Sequence, residues 1–323
     1  MDVLSSSPRL IVETPAKLNL FLEILAKRED GFHEIETLMT AISLYDRLSF
    51  SALAEGQTQL TTRWASGMEP QAVSRNGPRT ASTHDPLPKE SDNIVWKAVD
   101  RLRQRSGTNH GIAIDLVKRI PAAAGLGGAS SDAAATLVAA NRLWGLGWSR
   151  EQLAEVAAEL GSDIPFFLAE RAAGAGMAVC RGRGEQIESL RGMPPLHFVV
   201  VKPQVGLSTP AVYQRCKPAT NARHITPLIE ALKRGRILAS HFVNRLEQAT
   251  EQISPIIEQL RFAFSQTNCL AHQMSGSGSS YFGICRSARQ AGRLANRIRG
   301  LGFGQVFHAV TAPHAHRLEA APQ

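Results

Sequence analysis

Between residues 9 and 25 apolar and polar side chains alternate with the two-residue period of a strand. Lys17, Asn19 and Phe21 share one face of that strand, and Leu18, Leu20 and Leu22 share the other. A lysine inside such a stretch needs a partner, unless it lies on an edge strand and reaches water. Asp30-Gly31 signals a turn. Residues 40–62 then read as two further strands around Glu55-Gly56. All periodicity is lost over 65–90, where Pro70, Pro78, Pro86 and Pro88 mix with Gly67, Gly77 and polar residues. The expectation there is a mobile insertion loop.

The period lengthens to that of a helix after Ser91-Asp92-Asn93, which can cap Ile94 to Arg103. Ile112 to Leu116 alternates again, as a strand leading into Pro121-Ala122-Ala123-Ala124-Gly125-Leu126-Gly127-Gly128-Ala129-Ser130-Ser131. An Ala-rich helix should follow as far as Gly145, capped by Ser130, Ser131 or Asp132. A second runs from Ser149 to Gly161. Val179 and Phe198 to Val201 are strand-like, and helices are expected around 226–234, 238–250 and 252–266. A strand from Tyr281 to Cys285, a helix over 287–299, a last strand over 305–311 and a frayed tail over 313–323 complete the pattern. Strands and helices are mixed without strict alternation, which favours an α+β fold.

The glycine-rich stretch carries the strongest chemical signal. Gly125, Gly127 and Gly128 give a backbone that can curl tightly and approach a ligand. Free N–H groups and the positive end of the following helix then face the loop, which suits a phosphate group. Two better-known loops are excluded. A Walker A loop ends in Gly-Lys-Ser/Thr, whereas Ala129 and Ser130 follow Gly128 here. The dinucleotide pattern needs a third glycine where this chain has Ser130. A tight turn that only packs a helix is the bland alternative.

Composition narrows the class. A chain of 323 residues can bury one large core or two ordinary ones. Cys180, Cys216, Cys269 and Cys285 are scattered, without a C-x-x-C pair, which argues for reduced thiols and against a disulfide framework or zinc knuckle. No histidine grouping has metal-ligand spacing. No apolar run is long enough to span a bilayer, and Met1 to Pro8 lacks the layout of a secretion signal, so a cytoplasmic protein with no membrane contact is expected. The net charge of +8 is compatible with solubility, an anionic small substrate or nucleic acid. The last is disfavoured, because no nucleic-acid motif accompanies it and Arg289, Arg293 and Arg297 fall four apart on what should be a solvated helix face.

The glycine stretch resembles the second signature of the GHMP small-molecule kinases. Pro15-Ala16-Lys17-Leu18-Asn19 near the start and Met274-Ser275-Gly276-Ser277-Gly278-Ser279-Ser280 near the end are similar to the first and third signatures. Gly31-Phe32-His33-Glu34 with Thr37, Gly161-Ser162-Asp163-Ile164-Pro165-Phe166-Phe167 and Gly206-Leu207-Ser208-Thr209-Pro210 resemble a branch of the family whose acceptor carries a cytidine diphosphate group. The resemblance implies a two-domain α+β fold with the active site in the cleft between domains. It places an ATP-binding and catalytic domain at 1–170 and a C-terminal domain at 171–323. It also implies ATP with Mg²⁺, bound along Pro121 to Ser131, and a small-molecule cytidine diphosphate substrate. No partner protein, oligomeric state or metal-ligand set follows from it.

Phosphoryl transfer to an alcohol needs positioning, charge neutralisation and a base. Asp163 is the candidate base, with a turn or capping aspartate as the alternative. By the same resemblance Lys17 lies beside it and stabilises the developing alkoxide. Phe32 and His33 are the candidates for stacking on and hydrogen-bonding cytosine, with Asn19 and Thr209 as weaker substrate contacts. Phe32 stands where this branch has tyrosine, which keeps the π-face and loses the hydroxyl. Homoserine or mevalonate kinases offer a runner-up within the family, but their substrates have no base to stack. Ser131 is a weak candidate for a magnesium ligand. The family often has Asn-Asp-Leu-Glu where this chain has Asn244-Arg245-Leu246-Glu247, a change of charge expected to fall in a helix.

Overall fold

In the computed structural model the described residues are 9–69, 87–169, 176–312 and 317–320. Two long strands open the chain, β1 (Leu10–Lys27) and β2 (His33–Leu53), followed by β3 (Thr58–Trp64), α1 (Ile94–Ser106) and β4 (Gly111–Lys118). Next come α2 (Gly128–Leu143), α3 (Arg150–Leu160), α4 (Ile164–Leu168), β5 (Met177–Arg181), β6 (Gln186–Ser189) and β7 (His197–Pro203). The remainder holds α5 (Thr209–Arg215), α6 (Thr226–Lys233), β8 (Val243–Asn244), α7 (Glu247–Glu251), α8 (Pro255–Ser265), β9 (Ala271–Met274), β10 (Tyr281–Cys285), α9 (Ala288–Arg299), β11 (Gly304–Val310) and β12 (Arg317–Ala320).

Two sheets result. The larger has the order β12-β1-β2-β4-β3, with β5 on β2, β6 on β5 and β8 on β1. The smaller is antiparallel, in the order β11-β7-β10-β9. Strands from both sides of residue 170 enter the larger sheet. β1 pairs with β12, β2 and β8, and β2 with β1, β4 and β5, while register shifts interrupt the β1–β2 pair at Pro15/Ala16, Asn19/Phe21 and Ile24/Ala26. One core packs the larger sheet against α1–α4. A second joins Leu18, Leu20 and Phe21 of β1 to Phe198 and Phe282 of the smaller sheet. The third lies among β7, β10, α7, α8 and α9.

Several sequence expectations change. The shift at Asn19/Phe21 turns Phe21 away from the Lys17–Asn19 face and into the core with Leu18 and Leu20. β1 lies inside the sheet, so Lys17 is not an edge lysine. The expected helix over 238–250 breaks into a 3₁₀ turn at Ala239–His241, then β8 and α7, because Val243 and Asn244 pair with β1. The tail is not wholly frayed, since β12 adds to β1 and satisfies its free edge. Most of the expected insertion loop, 70–86, lies outside the described residues, as do 313–316 and 321–323 of the tail. Cys180 and Cys285 are buried, Cys216 and Cys269 are half-buried, and all are free thiols. Arg289, Arg293 and Arg297 are exposed on α9, as a solvated face requires. Among the described residues no helix is long and apolar enough to cross a membrane.

Candidate active site

The loop between β4 and α2 is shaped by backbone that other residues rarely adopt. Gly125 and Gly127 have φ of +71° and +67°. A Cβ on Gly127 would lie 2.8 Å from Lys17 Cγ, and one on Gly125 would lie 2.2 Å from the Ser275 carbonyl oxygen. The loop therefore sits in contact with β1 on one side and the loop after β9 on the other. Backbone bonds fix both contacts, from Lys17 N to Leu126 O (2.8 Å) and from Ser280 N to Ala124 O (3.1 Å). The Ser275 hydroxyl donates to Gly125 O (3.0 Å) and accepts from Asn19 N (3.3 Å).

Gly127, not a serine or aspartate side chain, occupies the cap of α2. Ser130, Ser131 and Asp132 all lie inside the first turns of the helix. Two of them are drawn elsewhere. Ser131 is buried against the Thr14 hydroxyl, and Asp132 pairs with Lys118 at 2.7 Å. Neither side chain caps the helix, whose first-turn N–H groups have no partner within it, a feature that suits an anion.

One cavity of about 840 Å³ is lined by Lys17, Asn19, Phe32, His33, Asp163, Thr209 and all of Pro121 to Ser130. Ser131 does not line it, since its hydroxyl turns to Thr14. Lys17 Nζ donates to Asn19 Oδ1 (2.6 Å) and lies 3.3 Å from Asp163 Oδ2. The lysine side chain is 4% exposed and the aspartate 33%, so the carboxylate is the member of the pair that meets solvent. Asn19 Nδ2 donates to the Thr37 hydroxyl, which donates to Phe21 O, and this orients the amide. Asp163 precedes α4, but its side chain caps nothing. Thr209 begins α5 and meets the Ser277 hydroxyl at 2.8 Å.

The far wall is aromatic. His33 packs on Tyr213 of α5 with ring centroids 5.3 Å apart. Phe32 is 49% exposed, with the Arg183 guanidinium 4.8 Å over its ring. Burial lowers the pKa of His33, and the Lys27 cation lowers it further. Arg183 is followed by Gly184, where a Cβ would stand 3.8 Å from Asp163 Oδ1, so the segment that carries Arg183 runs beside Asp163.

Tyr213, Arg183, Asn93, Lys118 and Asp132 also line the cavity and were missed in the sequence. Asn93 and Asp132 read there only as helix caps, and Asn93 does cap α1, accepting from Val95 N; Lys118 left a different trace. It continues the inward face of Ile112, Ile114 and Leu116 on β4, and an inward lysine demands a partner. It has two, Asp46 and Asp132, and they outweigh the burial that opposes its charge and raise its pKa. Burial above all, with the Asp46 carboxylate adding to it, raises that of Asp132.

The arrangement is that of phosphoryl transfer to a small molecule, which needs an anion cradle, neutralising charge and a base, and little else. Residues 93–171 match the family model of the GHMP kinases N terminal domain, and residues 228–302 that of the GHMP kinases C terminal. The chain is 38% identical to the 4-diphosphocytidyl-2-C-methyl-D-erythritol kinase of Pelotomaculum thermopropionicum, covering 88% of this chain and 92% of the relative. With the enzyme of the same name from Exiguobacterium sibiricum it shares 36% identity over 90% of this chain and 94% of the relative. The crystal structure of a 4-(cytidine 5'-diphospho)-2C-methyl-D-erythritol kinase superposes with a TM-score of 0.73 and 31% identity, covering 94% of this chain and 99% of that one. Homoserine kinase from Cytophaga hutchinsonii shares the fold, with a TM-score of 0.69 at 17% identity over 99% and 100% of the two chains. The chain belongs to the GHMP kinase family and is an ATP-dependent small-molecule kinase.

Proposed function

We propose that this kinase transfers the γ-phosphoryl group of ATP to the 2-hydroxyl of 4-diphosphocytidyl-2-C-methyl-D-erythritol, giving the 2-phosphate and ADP. The observation that carries the reading is one cavity in which the glycine loop and the Lys17–Asp163 pair adjoin an aromatic wall of Phe32, His33 and Tyr213. The relatives named for that reaction support the same substrate. A cytoplasmic setting and a place in the non-mevalonate route to isoprenoid precursors belong to this reading.

Asp163 takes the proton of the 2-hydroxyl as that oxygen forms its bond to the γ-phosphorus, and the bond to the β-phosphate oxygen breaks to release ADP. Lys17, held by Asn19, stabilises the charge that develops on the attacking oxygen. The N–H groups of the loop and of the first turn of α2 hold the phosphates. Phe32 and Tyr213 offer faces to the cytosine ring, and His33 offers its neutral imidazole to the base edge.

Magnesium takes most of its ligands from phosphate oxygens and water, and needs one or two protein oxygens. Asp132 has a buried carboxylate oxygen with no hydrogen-bond partner among the described residues, and Asp132 and Ser130 both line the cavity. These two fit a hydrated ion, whereas Ser131 does not reach the cavity. When bound, the ion neutralises phosphate charge. The test of the whole reading is ADP release with the cytidyl alcohol as acceptor.

A further inference from the structure

We propose that Asn244 is a positioning residue for phosphoryl transfer, clasping the loop between β9 and β10 against Lys17 and Asn19. The inference rests on the roles given above to Lys17 and the phosphate loop. Asn244 does not line the cavity, so it acts through the loop and not on a substrate.

Its amide is fully engaged. Nδ2 donates to Met274 O and to Gly276 O, both at 2.8 Å, and Oδ1 accepts from Leu246 N at 3.0 Å. The loop is gripped from the other side by Glu247, whose Oε2 accepts from Met274 N at 3.1 Å. Residues 274–276 are therefore held by carbonyl and amide alike. What they press against is the lysine–asparagine pair. A Cβ on Gly276 would stand 3.2 Å from Asn19 Oδ1 and 3.4 Å from Lys17 Nζ. Movement of Gly276 would free both side chains to turn.

The clasp is fixed to β1 by the residue that departs from the family pattern. Arg245 is not in a helix. Its N–H donates to Leu22 O (2.8 Å), and its guanidinium meets both oxygens of Glu23, at 2.6 and 2.7 Å. Glu23 is fully buried and also accepts from Ile24 N and Arg223 N. The change of charge at position 245 thus has its own counter-charge on the strand that carries Lys17. A catalytic group displaced by about 1 Å can cost about 10²-fold in rate, so a clasp that holds Lys17 in place matters to turnover more than to binding.

The test compares Asn244→Ala and Asn244→Asp in the full chain, by kcat and KM for ATP and the cytidyl alcohol. Both variants lose the N–H donors to Met274 O and Gly276 O, whereas the aspartate keeps an acceptor for Leu246 N. The expected result in both is a loss of kcat of about tenfold or more with KM changed by less than about threefold. Amide hydrogen exchange at Ser275 and Gly278, whose N–H groups donate to Ser280 O (2.9 Å) and Ser275 O (3.0 Å), should be faster in both variants when measured without substrate. Retention of kcat within about threefold in either variant, or a loss confined to KM, would overturn the proposal. Should Asn244→Asp fail to fold, Asn244→Ser decides by the same kcat and exchange criteria. The exchange arm needs no substrate, so an error in the assigned substrate would leave it intact, whereas unchanged exchange would sink the clasp alone.

Discussion

Lys17 and Asp163 divide their work by exposure. The lysine is sealed between Asn19, Asp163 and the glycine loop, while the carboxylate opens to the cavity. Asp163→Asn keeps the shape and removes the base. Turnover should fall by about 10²–10⁴, with ATP affinity, read by calorimetry, nearly unchanged. Near-normal turnover would remove Asp163 from the role. His33 supplies a second check. Burial, then the Lys27 cation, depresses its pKa, so it stays neutral at physiological pH. A neutral imidazole offers one donor and one acceptor, and a protonated one offers donors only. Binding of cytidine diphosphate should therefore be flat above the ordinary histidine range and weaken only as pH falls below it. His33→Gln should abolish that acid limb in a calorimetric titration.

At the scale of elements, the loops matter more than the helices they begin. Gly127 adopts a left-handed backbone with Lys17 and Phe167 where a side chain would go. Gly127→Ala should lower stability by about 1–2 kcal/mol from backbone strain alone, before the clash with Lys17 is counted. Turnover should fall with it, since the lysine must move. Thermal unfolding and kcat on the same preparation check both. The β1–β8 contact makes a different prediction. Burial opposes the charge of Glu23, but Arg245 and the N–H groups of Arg223 and Ile24 outweigh it and hold the pKa below the usual value. A carboxylate depressed in the folded state contributes stability above its unfolded pKa and loses it as pH falls through the folded one. Unfolding followed against pH should show that acid limb, and Glu23→Gln should flatten it.

Much of this was legible in the chain. The alternation around Lys17, the glycines of the loop and the helix start at Ser149 are local signals, and each produced the element expected. What was not legible is non-local. Nothing in the sequence places Tyr213 beside His33 or Arg183 over Phe32, because those contacts are made by elements far apart in the chain. Ser131 and Asp132 looked like caps until the sheet claimed their side chains. Residues 238–250 have helical apolar spacing, yet two of them pair with β1, and tertiary pairing outweighs local propensity.

For the whole molecule, the cavity is a product of both sheets. β1 brings Lys17 and Asn19, the β4–α2 loop brings the anion cradle, and the segment after β7 brings Thr209 and Tyr213. No single element holds enough of the site to bind a nucleotide sugar alcohol. The central claim is that this shared cavity selects an alcohol with a cytidine at its far end. The most direct measurement is ADP release by the purified chain with Mg·ATP, comparing 4-diphosphocytidyl-2-C-methyl-D-erythritol with homoserine, mevalonate and galactose. Turnover with the cytidyl alcohol alone is the predicted result. Turnover with another of these alcohols and none with the cytidyl compound would contradict the role given to Phe32, His33 and Tyr213, while leaving the lysine–aspartate pair in place.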